Sequence, residues 1–85
     1  MLGRDEVTRI VREGVAETFS IDTPITDDNL SFEGDLKADS LDMMSLAMVL
    51  EDEFGSEIET EEVGSFITIQ NVIDYVVNRQ KQEAA

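Results

Sequence analysis

The sequence predicts a small all-α protein, a four-helix bundle with three main helices, one short third helix and a long first loop. Apolar residues recur at spacings of three and four in three segments, which is typical of amphipathic helices that share a core. The chain has 85 residues, enough for one domain, so we expect residues 1–85 to fold as a single unit with a frayed tail at about 82–85. It has no Cys, so disulfides and thiol chemistry are excluded.

The first helix is predicted over residues 4–19. One face of this segment carries apolar residues and the opposite face carries charges of both signs. The apolar positions are Val7, Ile10, Val11, Val15 and Phe19.

A long polar connection follows over residues 20–38. Pro24 and the acidic stretch around Asp27 are typical of turns, and residues 26–30 could form a short helical turn. Five scattered apolar residues are expected to pin this loop to the core: Ile21, Ile25, Leu30, Phe32 and Leu36.

The second helix is predicted over Ser40–Phe54. Asp39 or Ser40 can cap its free N–H groups, and Asp42 lies in the first turn, where a carboxylate is favourable. Gly55 supplies the C-terminal stop.

Two further helices complete the bundle. Thr60–Val63 is predicted as one short turn that begins with Thr60 as a cap and ends at Gly64. Thr68 is the predicted cap of the last helix, in which Arg79 and Lys81 lie at the favourable C-terminal end.

Composition excludes several functional classes. There are 20 acidic and six basic residues, a formal net charge of −14 and no His. Binding to nucleic acid or to an anionic membrane requires Lys and Arg, so neither is an expected partner. Without His or Cys the usual nucleophilic pairs cannot form, so no catalytic residue is predicted. We expect a cytoplasmic monomer with no membrane span, whose partners carry basic patches.

The second helix has two apolar stripes. One is an ordinary core stripe and contains Met43, Leu46, Ala47, Leu50 and Phe54. The other contains Leu41, Met44 and Met48, and is flanked by Glu51 and Asp52. A surrounded central helix would bury both stripes. Alternatively, the second stripe is a docking surface, because Met side chains adapt to several partners and an acidic rim steers basic ones.

These features together resemble a known family. The segment 35–42 reads DLKADSLD, and EDEF follows at residues 51–54. With the long loop, the helix order and the acidity, this pattern resembles the acyl carrier proteins over nearly the whole chain.

The resemblance implies a role for each site residue. Ser40 would carry 4′-phosphopantetheine, whose terminal thiol bears acyl groups as thioesters, and Asp39 would help to hold the metal while a phosphopantetheinyl transferase installs the arm. By position, the partner-binding residues would be Leu41, Asp42, Met44, Met48, Glu51 and Asp52. The candidates for an acyl-chain pocket are Leu46, Leu50, Phe66, Ile67, Val72 and Tyr75, which could equally be plain core.

Two positions depart from the family's pattern. Lys37 stands where Gly is common, and Ser45 stands where Glu is common. Both changes weaken the negative field near Ser40. The resemblance implies that the carrier presents acyl intermediates to fatty-acid or related lipid and polyketide biosynthetic enzymes. The two departures suggest a specialised rather than a housekeeping carrier, such as one for lipid A, a modified fatty acid or a polyketide.

Other readings stay open at this point. A peptidyl or aminoacyl carrier shares the Ser and the arm. In an acidic interaction module without a cofactor, Ser40 would be only a cap. No stretch has the ligand spacing of a calcium-binding loop, so no intrinsic metal site is predicted.

Overall fold

The computed structural model describes residues 2–84, and the side chains of residues 2–80. It contains four helices in the order α1 (Arg4–Thr18), α2 (Ser40–Phe54), α3 (Thr60–Val63) and α4 (Ile69–Ala84). The predicted all-α architecture, with a short third helix and a long first loop, is confirmed. Helix α4 extends to Ala84, and residue 85 lies outside the described residues, so the expected fraying of residues 82–85 stays a prediction.

Helix α1 packs against both α2 and α4 through a fully buried stripe of Val7, Val11 and Val15. Gly14 lies where α1 meets α2: a Cβ placed on it would lie 3.4 Å from Val49 Cγ1. The helix ends at Thr18, one residue before the predicted end. The chain turns away at once, because Ser20 adopts the left-handed conformation with φ of 55°.

The long loop is pinned to the core as expected. Ile25 and Phe32 are buried, and the other predicted anchors are half-buried. A bidentate contact also holds the loop against α1. Arg12 Nε donates to Asp28 Oδ1 and Arg12 Nη2 donates to Asp28 Oδ2, each at 2.8 Å. This bidentate contact raises the pKa of Arg12, chiefly through its hydrogen bonds to Asp28.

The helical turn considered for residues 26–30 is absent. The segment forms a simple turn, in which the side chain of Asp27 accepts a hydrogen bond from the Asn29 N–H at 2.9 Å. An Asp side chain that bonds to the backbone two residues later competes with helix formation.

The end of the loop is held against the connection between α3 and α4. Ser31 and Thr68 form an isolated antiparallel bridge, and the Phe32 N–H donates to the Ile67 carbonyl at 2.9 Å. The Ala38 N–H then donates back to the Phe32 carbonyl at 2.7 Å. These bonds set where the chain enters α2.

The two later helices begin differently. Thr60 lies inside the first turn of α3 rather than at its cap, which is Glu59 and makes no side-chain hydrogen bond. Thr68 does cap α4: its Oγ1 accepts from the Asn71 N–H at 3.3 Å, and Asn71 Oδ1 accepts from the Thr68 N–H at 3.0 Å. Helix α3 is therefore the less firmly started element. Within residues 2–84, no helix has the length and apolar character needed to cross a membrane.

Candidate functional site

Ser40 is the first residue of α2 and is exposed. The cap is Asp39, whose Oδ1 accepts from the Asp42 N–H at 2.9 Å, while Asp42 Oδ2 accepts from the Asp39 N–H at 3.1 Å. Of the two cap candidates, Asp39 is therefore correct and Ser40 is not. Among the described residues, no hydrogen-bond partner occupies the Ser40 hydroxyl, which leaves it available for attachment chemistry at a helix N-terminus.

The end of the long loop, just before Ser40, contains a residue with a strained backbone. Lys37 is exposed and has φ of 58°, in the left-handed region that Gly adopts without cost. This conformation explains why Gly suits the position, and Lys37 adopts it although its Cβ makes it unfavourable. The Lys37 ammonium has no ion-pair partner in the described part of the chain.

An open cleft of about 660 Å³ lies beside Ser40, between α2 and α3. Its lining includes apolar side chains from α2, from α3 and from the connection to α4: Met43, Met44, Val63, Phe66 and Ile67. Ser40 and Asp39 lie on its border. An exposed hydroxyl at the edge of an apolar cleft fits a long, flexible arm that bears an apolar group.

Two of the six acyl-pocket candidates line the cleft, and the other four do not. Phe66 and Ile67 line the cleft, and Ile67 is 66% exposed. The other four lie elsewhere: Leu46, Leu50 and Val72 are fully buried in the core, and Tyr75 is half-buried. Tyr75 does not line the cleft itself. Its ring makes an edge-to-face contact with Phe66, which does, at 5.3 Å between ring centres.

Several residues that line the cleft have no site role in the sequence-based prediction, among them Met43 and Val63. The prediction assigns Met43 to the core stripe of α2 and Val63 to the short third helix. A signal for Met43 was present, because residues three apart on a helix share a face, and Met43 follows Ser40 by three.

The second apolar stripe of α2 is at the surface. Leu41 is 77% exposed, Met48 64% and Met44 43%. The bundle therefore does not bury both stripes, and three large apolar side chains face solvent on one helix.

The carboxylates around this stripe differ in their surroundings. Asp52 is exposed, whereas Glu51 is half-buried and its Oε2 accepts from the Ile58 N–H at 2.8 Å. Asp42 is also half-buried, in the capping pair with Asp39. Between residues 38 and 66 the chain has nine carboxylates and no Lys or Arg, so this half of the protein has a negative field. In the part of the chain that is described, no three acidic side chains are grouped to hold a metal ion.

A polar cluster lies behind the cleft. The Tyr75 hydroxyl donates to Glu62 Oε2 and accepts from Arg79 Nη1 at 2.7 Å. Burial raises the pKa of Tyr75, and the hydrogen bond to Glu62 raises it further. The sequence analysis gave no site role to Glu62 or Arg79.

Comparison with known proteins gives a consistent result. The family model described as "Phosphopantetheine attachment site" matches residues 9–76, a span that includes Ser40. The acyl carrier protein of Rubrobacter xylanophilus is 38% identical over 79 residues, covering 93% of this chain and 98% of that protein. The acyl carrier protein of Thermosynechococcus vestitus is 40% identical over 78 residues, with coverage of 92% and 96%.

A solved structure agrees with these relatives. The crystal structure of an acyl carrier protein from Thermotoga maritima superimposes with a TM-score of 0.76 at 29% identity, covering 93% of this chain and 92% of that one. Proteins of this family are carriers rather than enzymes, and a covalently attached 4′-phosphopantetheine group supplies the thiol that holds acyl intermediates as thioesters during biosynthesis. The matched relatives, the matched attachment model and the cleft beside an exposed Ser together show that this chain belongs to the acyl carrier protein family.

Proposed function

We propose that Ser40 is the attachment residue for 4′-phosphopantetheine and that Asp39 supports the metal during transfer of the arm. The observation that carries this proposal is the exposed hydroxyl of Ser40 at the N-terminus of α2, on the border of an apolar cleft, with no hydrogen-bond partner among the described residues. The helix N-terminus favours the phosphate of the arm and offsets part of its repulsion by Asp39 and Asp42.

An intact-mass measurement tests the attachment. The protein is incubated with coenzyme A, magnesium and a broad-specificity phosphopantetheinyl transferase. We expect one arm on the wild-type chain, none on Ser40→Ala, and one on Ser45→Ala, which removes another exposed serine hydroxyl from the same helix. Addition of the arm to Ser40→Ala would contradict the assignment.

We further propose that the exposed stripe of α2 docks acyl-processing enzymes and the transferase. Leu41, Met44 and Met48 supply adaptable apolar contact, and Asp42, Glu51 and Asp52 attract basic patches. The carboxylates of Glu51 and Asp42 also accept hydrogen bonds from backbone N–H groups. Of these three acidic side chains, only Asp52 is therefore free to reorient fully toward a partner. We place the protein in the cytoplasm as a single-domain monomer.

The cleft is proposed to shelter the acyl chain. Phe66 and Ile67 line it directly. The remaining candidates, Leu46, Leu50, Val72 and Tyr75, belong to or pack against the same core cluster behind it. The acyl chain would therefore lie on the surface of the cleft first. For the chain to enter more deeply, the side chains of the core would have to rearrange.

We propose that the carrier serves a specialised pathway, such as lipid A, modified fatty-acid or polyketide synthesis. Support comes from Lys37, an exposed cation three residues before Ser40 that has no ion pair within the described residues, and from Ser45, an exposed hydroxyl beside the docking stripe. Both reduce the negative charge that a basic docking patch would meet.

A competition assay with a housekeeping fatty-acid ketosynthase tests this specialisation. The double variant Lys37→Gly, Ser45→Glu should be turned over with a higher kcat/KM than wild type. The control variant Arg9→Gln, Asn78→Glu changes net charge equally at exposed positions on α1 and α4, and should behave as wild type. Equal turnover of wild type and the Lys37→Gly, Ser45→Glu variant would refute the proposal.

A further inference from the structure

Helix α3 forms one wall of the cleft but has few attachments of its own. It contains four residues and has no side-chain cap. It packs against α2, yet no Cα atom of α3 comes within 8 Å of a Cα atom in the described part of α4. Contacts between side chains must therefore connect this wall to α4.

Three side chains make that connection. Glu62 on α3 accepts a hydrogen bond from the Tyr75 hydroxyl, and its Oε2 lies 3.8 Å from Arg79 Nη1. The guanidinium of Arg79 in turn donates to the Tyr75 hydroxyl at 2.7 Å, so each of the three groups contacts the other two. All three are only partly exposed, which strengthens a charge-assisted network relative to a surface ion pair.

The same network continues into the cleft. The ring of Tyr75 packs edge-to-face against Phe66, which follows α3 and lines the cleft beside Ser40. Tyr75 also borders a small, partly open pocket of about 40 Å³ together with Phe54 and Ile58. Because Phe66 lines the cleft and Tyr75 lines this pocket, the contact between the two rings lies between them.

We propose that Glu62, Tyr75 and Arg79 form a latch that holds α3 against α4 and keeps the α3 wall of the cleft in place. Release of Glu62 from both Tyr75 and Arg79 would leave α3 attached mainly through Val63, which is buried in the core. The wall could then move outward without unfolding the α1–α2–α4 core. Tyr75 and Arg79 are thus positioning residues. Both act on the cleft wall through Glu62, and Tyr75 also acts through Phe66.

Amide hydrogen exchange on the unmodified protein tests the latch, and its result does not depend on Ser40. The reporters are the Val63 and Gly64 N–H groups, which donate to the carbonyls of Glu59 and Thr60, each at 3.1 Å. In Tyr75→Phe, which keeps the ring and removes the hydroxyl, these amides should exchange about tenfold faster, in line with the loss of a hydrogen bond to a charged group. The amides of Val11 and Val15 in α1 should keep their wild-type rates.

Two further variants make the test decisive. Glu62→Gln removes the carboxylate and keeps the ring contact, so it should accelerate exchange in α3 and spare α1. The matched control is Arg4→Gln, which breaks the ion pair of Arg4 with Asp74 and should leave α3 exchange unchanged. The proposal is overturned if the α3 amides exchange at wild-type rates in both Tyr75→Phe and Glu62→Gln. It is also overturned if exchange accelerates equally in α1 and α3.

Discussion

Asp39 and Asp42 hold each other across the first turn of α2, with the Asp42 N–H donating to Asp39 Oδ1 at 2.9 Å and the Asp39 N–H donating to Asp42 Oδ2 at 3.1 Å. Ser40 lies between them in the sequence and uses neither bond. The two carboxylates therefore start the helix, and the serine hydroxyl between them stays exposed. The residues on either side of the proposed attachment residue can in this way have a structural role that is separable from a role in transfer.

This separation can be measured at Asp39. Asp39→Ala should lower the free energy of unfolding by about 1 kcal/mol, because the cap is lost. Asp39→Asn should keep nearly wild-type stability, since an amide oxygen can still accept from the Asp42 N–H, yet it should slow arm transfer because the charge is gone. Urea unfolding and transfer kinetics check the two effects. Equal stability loss in both variants would show that charge, rather than capping, governs the helix start.

Lys37 provides a test of backbone strain. Its φ of 58° is unfavourable for any residue with a Cβ, so Lys37→Gly should raise the free energy of unfolding by about 1 kcal/mol. Lys37→Ala removes the charge but keeps the Cβ, and should give no such gain. Denaturant unfolding of the three proteins decides between strain and charge: if Lys37→Ala and Lys37→Gly are equally stabilised, the strain argument is wrong.

The ion pair between α1 and α4 should appear in the pH dependence of stability. The hydrogen bond from Arg4 is the main cause that lowers the pKa of Asp74. A carboxyl group whose folded-state pKa is lowered stabilises the fold above its unfolded-state pKa, and that contribution is lost as pH falls. The stability difference between wild type and Asp74→Asn should thus be a few tenths of a kcal/mol at neutral pH, because both side chains are about half exposed. It should vanish as pH falls below the ordinary aspartate pKa of 3.8. A difference that persists at lower pH would point to a cause other than the ion pair.

Tyr75 is the only tyrosine, so its titration can be followed directly by ultraviolet absorbance. Burial and the contact with Glu62 raise its pKa above 10.0. Glu62→Gln removes the neighbouring negative charge and should move the pKa of Tyr75 downward, while burial keeps it from falling fully to the ordinary value. The control Arg9→Gln, at an exposed position on α1, should leave the titration unchanged. An unshifted titration in Glu62→Gln would mean that Glu62 does not contact the hydroxyl in solution.

The helices were the most predictable part of this protein. The bounds of α2 agree with the prediction, α1 ends one residue early, and α3 includes Thr60, which was the predicted cap. Helix starts and stops depend on neighbouring residues, such as the Asp39–Asp42 pair and the left-handed Gly55, so they are readable from local sequence. The exposed stripe of α2 was also foreseeable as one of two alternatives, because helical periodicity separates it from the core stripe.

By itself, the sequence determined the helical architecture, the acidity and the place of Ser40 at a helix start, since each depends on composition or on residues a few positions apart. Only the tertiary structure decided which side chains form the cleft. It grouped Met43 and Val63 with Phe66 and exposed Ile67, because those outcomes depend on how α2, α3 and the long loop pack together. The bridge between Ser31 and Thr68 and the contact between Glu62 and Tyr75 are likewise long-range. No local pattern specifies a contact between segments that meet only when the core closes.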